Sequence, residues 1–190
     1  MYFNLEELAS SKVKSIVSEN QPYIIQVGRI HPIKNYETSI RALAKLPKNL
    51  NYLIVGPEQD REYKNKLEKL ITELNLKNRV KFLGVVLGVD KYYLLKNAEL
   101  MVHMAHWEAY CNTVHEGMSQ GRVCIVSNHP SMSTLVKNQI NGFILVSNDY
   151  LGLANIIRKV FKNNSLKDRI GKTNIEFTKN HSWENVAKKV

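Results

Sequence analysis

The chain has 190 residues, 44% hydrophobic and 23% charged, enough for one α/β domain and too few for two ordinary ones. Its longest apolar runs fall well short of the roughly 18 residues a spanning helix needs, and the N-terminus MYFNLEELASSKVKS lacks the basic-then-apolar order of a secretory signal. Two cysteines exclude a disulfide framework and fit a reducing, cytoplasmic compartment, while the net charge of +10 asks for an anionic partner or a solvated basic surface.

In chain order, residues 1–19 read as a linker carrying a helix over 5–18, and residues 20–190 as the domain proper. Six short runs rich in Val, Ile, Leu and aromatics follow: YIIQV (23–27), NYLIV (51–55), RVKFL (79–83), ELMVHM (99–104), VCIVS (123–127) and GFILV (142–146). Each is bounded by turn residues and lacks polar alternation, as strands buried on both faces do. Between them, ETSIRALAKL puts Ile40, Leu43 and Leu46 on one helical stripe, and YKNKLEKLITEL does the same with Leu67, Leu70, Ile71 and Leu74. This alternation predicts right-handed crossovers and a mainly parallel six-stranded sheet between helical layers, a Rossmann-like α/β domain. Three helices are expected after the last strand, over 150–161, 165–176 and 182–189, with Ser182 capping the third.

In such a sheet ligands gather at the carboxyl ends of the strands. The first of these ends carries Gly28-RIHPIK-Asn35. Gly28 allows a tight turn and close backbone approach, and Arg29 and Lys34 flank it beside the start of the next helix, a receptacle suited to a diphosphate. The loop lacks G-x-G-x-x-G and the P-loop pattern, so a dinucleotide or NTPase site is not expected. Further on, His106-WEAYCNTVHEGMSQG-Gly121 carries Glu108 and Glu116. Glu116 follows Thr113 as in a capping box, which would make it a helix-starting residue; a carboxylate is equally suited to accept from two hydroxyls.

The basic residues are mixed with acids, as in KNKLEKLITELNLKNR, without a polybasic block or interleaved aromatics. A solvated surface is the first reading, adhesion to an anionic bilayer the second, and no nucleic-acid partner is expected. His103, His106 and His115 cluster in sequence but match no zinc spacing, so no metal is expected. Cys111 would act as a nucleophile only with a base, for which His115 is the neighbour in sequence.

G-R-(four residues)-K-N after the first strand, joined to E-(seven residues)-E, resembles the donor-binding C-terminal domain of retaining, nucleotide-sugar-dependent glycosyltransferases of GT-B architecture, the group that includes the glycogen synthases. The resemblance runs from about Tyr23 to Trp183 and includes VGP (55–57), VKFLG (80–84), NAEL (97–100), EGMSQG (116–121) and NGFIL (141–145). It implies a nucleotide diphosphate sugar as substrate, with no metal or other cofactor. By resemblance Arg29 and Lys34 would stabilise the diphosphate, Glu108 the donor sugar and Glu116 the ribose, with Gly84 and Val85 beside the base. Cys111 and Asn112 stand in the turn where many members have glycine and an aromatic, so their amides would face sugar or phosphate. An N-terminal acceptor-binding domain, in the same or a separate chain, is the implied partner, so this chain by itself would bind donor and transfer little. Two other functions fit the same features: a regulatory nucleotide-sugar-binding module, and a sugar-nucleotide epimerase.

Overall fold

The computed structural model describes residues 4–180. Its centre is one six-stranded sheet in the order β3-β2-β1-β4-β5-β6, with every pairing parallel. The strands are β1 (Tyr23–Val27), β2 (Asn51–Val55), β3 (Val80–Gly84), β4 (Leu100–His103), β5 (Cys124–Ser127) and β6 (Gly142–Leu145). All six expected strands are present, with ends displaced by a residue or so.

The helices among the described residues are α1 (Leu5–Leu8), α2 (Ser11–Asn20), α3 (Tyr36–Leu43), α4 (Arg61–Glu73), α5 (Gly88–Asn97), α6 (Asn112–Ser119), α7 (Pro130–Leu135), α8 (Tyr150–Phe161) and α9 (Asn164–Asn180). The single leading helix expected over 5–18 is broken in two because Ser10 caps α2, accepting from the Val13 amide at 3.3 Å. The helix expected over 182–189 lies outside the described residues.

Successive strand side chains point to opposite faces, and this divides the core. Ile24, Tyr52 and Ile54 face α3, α4 and α8; Ile25, Leu53 and Val55 face α2, α5, α6 and α7. The chain winds outward from β1 through β2 to β3, then crosses back to lay β4 on the other flank of β1. That reversal parts the loops leaving β1 and β4, and a crevice opens between them.

Candidate functional site

The crevice at the carboxyl ends of β1 and β4 holds a cavity of about 230 Å³ lined by Val27, Gly28, Arg29, Lys34, Glu108, Tyr110, Cys111, Asn112 and Thr113. Of the sequence-predicted site residues it unites Gly28, Arg29, Lys34, Glu108, Cys111 and Asn112. A larger cavity of about 500 Å³ lies at the opposite edge of the sheet, against residues 96–99 and 120–123 that lead into β4 and β5. It lies at the amino ends of the strands, away from the carboxyl ends where parallel sheets bind ligands, and the smaller cavity is the candidate site.

The β1 loop is fixed from several sides. Gly28 N donates to Val55 O at 2.8 Å and Ile30 N to Pro57 O at 2.9 Å. Tyr36 Oη donates to Gly28 O at 2.7 Å. Gln26, fully buried, donates from Nε2 to Lys34 O at 3.0 Å. Asn35 adopts the left-handed conformation at φ 50°, and its Nδ2 donates to Met104 O at 3.0 Å and Ser147 O at 2.7 Å. One side chain thereby ties the β1 loop to the segments after β4 and β6. Gly56, absent from the sequence reading, is needed for a steric reason: a Cβ there would lie 1.9 Å from Gly28 O.

Arg29 is exposed and makes no ion pair among the described residues. Lys34 is 8% exposed, and its ammonium pairs with Glu108 Oε2. His103, 1% exposed at the end of β4, reaches the same oxygen from Nε2 at 3.1 Å. Burial opposes the charge on Glu108, but the hydrogen bonds from His103 and Lys34 outweigh it and hold the carboxyl at about 2. Burial would likewise lower His103; the adjoining Cys111 and Glu108 overcome it and raise the imidazole to about 9.

Glu116 lies one turn along α6 from Asn112, outside the cavity lining, and its Oε1 accepts from Lys91 Nζ of α5 at 2.6 Å. Its Oε2 is buried and has no hydrogen-bond partner. The capping-box reading of Glu116 does not hold, because α6 starts at Asn112 with Cys111 in the cap position and no side-chain cap. Gly84 ends β3 at φ 68° with open space around it, and Val85 is 58% exposed; neither lines the cavity.

The helix end beside the cations also differs from expectation. The first amide of α3, Tyr36 N, donates to Tyr63 Oη at 3.0 Å, and α3 opens on a separate cavity lined by Asn35, Glu37, Thr38 and Arg41. Asn112 and Thr113 at the start of α6 reach the candidate cavity instead, so the positive helix end there comes from α6.

Among the histidines, His106 is turned to Ser147 Oγ at 3.2 Å. His103 instead joins Glu108 and Cys111, one donor atom from each lying within 4.8 Å of the others. Glu108 thus completes a ligand-like set that the sequence spacing did not show, and the imidazole beside Cys111 is His103, eight residues upstream on β4. Among the described residues no helix is long and apolar enough to cross a membrane.

The family model described as glycosyl transferases group 1 matches residues 9–177. A lipopolysaccharide core biosynthesis glycosyltransferase of Rhizobium meliloti is 26% identical over 163 residues, 86% of this chain and 46% of that protein. The UDP-Gal:alpha-D-GlcNAc-diphosphoundecaprenol alpha-1,3-galactosyltransferase of Escherichia coli is 31% identical over 150 residues, 76% of this chain and 38% of that one. Anabaena HepE, solved in complex with UDP and glucose, superposes with a TM-score of 0.85 at 24% identity, over 97% of this chain and 52% of HepE. The chain thus spans less than half the length of these curated relatives.

Proposed function

Because this chain belongs to the group 1 glycosyl transferases, we propose that it is the donor-binding half of a retaining enzyme that moves a hexose-type sugar from a nucleotide diphosphate sugar to a glycan or lipid-linked acceptor. The observation that carries this reading is the cavity at the switch point. Two cations from the β1 loop, a carboxylate from the β4 loop and the start of α6 converge on it.

In this reading the diphosphate takes the place that Glu108 now holds on Lys34. Lys34 turns to a phosphate oxygen, Arg29 closes over it, and the amide of Cys111 adds a neutral donor. Glu108, released, accepts from sugar hydroxyls. Glu116 exchanges Lys91 for the ribose hydroxyls; its buried, unmet Oε2 is a costly atom unless a ligand brings a donor. The base lies against Gly84 and Val85. Catalysis is then mainly electrostatic: the cations stabilise the charge that grows on the leaving diphosphate as the glycosidic bond breaks. The leaving phosphate takes the acceptor proton on the same face of the sugar, and no resident metal is required.

The relatives act in lipopolysaccharide and lipid-linked glycan synthesis, which supports the same setting here, with the acceptor half in another domain and peripheral contact with the inner membrane surface. UDP in Anabaena HepE and UDP-Gal in the Escherichia coli relative favour a uridine donor.

The test is thermal denaturation of the chain with UDP, GDP, ADP and CMP. A ligand at one hundred times its Kd stabilises by about 2.7 kcal/mol, a rise of about 5–10 °C for a domain of this size. UDP is expected to give it. No shift with any diphosphate would remove the donor-site reading.

A further inference from the structure

We propose that His103, Glu108 and Cys111 form a site for a thiophilic divalent cation of the zinc class, and that its occupation withdraws Glu108 from the donor sugar. The second half rests on the donor-site reading above; the first half does not.

The three side chains come from β4, the loop after it and the cap of α6, and their donor atoms lie within 4.8 Å of one another. Imidazole nitrogen, carboxylate oxygen and thiolate sulfur together are a set that zinc accepts, and three protein ligands leave its fourth tetrahedral position open. Cys111 is 2% exposed and His103 1%, while Glu108 and Cys111 line the cavity, so an ion enters from there.

His103 presents Nε2 to the Glu108 carboxylate at 3.1 Å, so the nitrogen facing the set is already aimed at the place an ion would take. Cys111 makes a long contact to Thr113 Oγ1 at 3.8 Å and adjoins His103, so its sulfur already lies beside the set.

Lys34 competes directly, since its ammonium occupies the same Glu108 oxygen as His103. A dication bound there expels the lysine from that oxygen. It also consumes the carboxylate assigned to the sugar. Metal and nucleotide sugar are therefore antagonists at one residue, and the ion acts as an inhibitor of donor binding.

The test is titration of the 190-residue chain with Co²⁺ as a spectroscopic substitute for Zn²⁺, in the Cys124→Ser background so that one thiol remains. One equivalent binding with a thiolate-to-cobalt charge-transfer band in the near ultraviolet is expected. Cys111→Ser should abolish the band, and His103→Gln should weaken binding by more than about tenfold; His106→Gln should change neither. Absence of the band in the Cys124→Ser protein overturns the site, a result that needs no folded Cys111 variant. Undiminished affinity in His103→Gln overturns it as well. Zn²⁺ is then expected to suppress the thermal shift given by UDP-glucose, and an undiminished shift at saturating Zn²⁺ overturns the antagonism. Should the metal-free chain ignore UDP-glucose, the donor reading has failed, and the cobalt titration still decides the cation site.

Discussion

At the scale of residues, both glutamates of the spaced pair have a lysine: Glu108 pairs with Lys34 and Glu116 with Lys91. Each carboxylate is thus neutralised by a cation of the chain itself, and in the proposed reading a bound donor displaces both lysines. Arg29 differs, being exposed and without an ion pair among the described residues, so its removal costs the fold little, within about 0.5 kcal/mol. In the proposed reading, Arg29→Ala and Lys34→Ala are each expected to lower kcat of sugar transfer by about 10²–10³-fold. Retained turnover in Arg29→Ala would argue that the arginine meets no phosphate. Lys34→Ala should also lower the melting temperature, since it strips a partner from Glu108. His103 supplies a pH signature. Its pKa is raised to about 9 from an unfolded value of about 6.5, so its contribution is complete below about pH 6.5 and is lost as pH rises through about 9. Without added metal, the melting-temperature difference between the chain and His103→Gln should shrink over that window; a constant difference would show that the ring carries no charge in the fold.

At the scale of elements, the β1 loop is a rigid part braced by its neighbours. Gly56 on the adjoining strand end shows how close that bracing is. Gly56→Ala would force a Cβ against Gly28 O and strain a backbone at φ 150°, costing about 1–3 kcal/mol from the backbone alone. The expected outcome is a lower melting temperature together with loss of the UDP-induced shift, although Gly56 is absent from the cavity wall. Intact nucleotide binding in Gly56→Ala would separate the two strand ends functionally. The strands were legible in the sequence because runs such as YIIQV and NYLIV are apolar at every step or nearly so, which only a sheet covered on both faces demands. The short helices were less so. GVDKYYLLKN of α5 buries Tyr93, Leu94 and Leu95 in succession and carries no single stripe. PSMSTL of α7 spans only 6 residues, too few to show a period.

At the scale of the whole molecule, order along the chain hides what the topology joins. That Arg29, Lys34 and Glu108 would line one crevice was legible from motifs at strand ends, because the rule for parallel sheets says where strand ends meet. Lys91 against Glu116 and His103 against Cys111 were not, since those meetings depend on the tilt of α5 against α6 and on how the chain turns back after β4. Only packing sets these. The chain spans under half of its curated relatives. In the proposed reading, mixing it with a separately produced acceptor-binding domain is expected to give sugar transfer from UDP-sugar, whereas alone it should bind donor and release it unchanged. Free conversion of the donor into a new sugar nucleotide without acceptor would point to an epimerase instead.

The strand order places β1 and β4 in the middle of the sheet and leaves β3 at one margin. Hydrogen-deuterium exchange should therefore be slowest beneath the loops that leave β1 and β4 and fastest under Gly84 and Val85, where fraying begins. In the proposed reading the nucleobase rests on that soft margin and the diphosphate over the firm centre, so base preference can drift without disturbing the phosphate contacts.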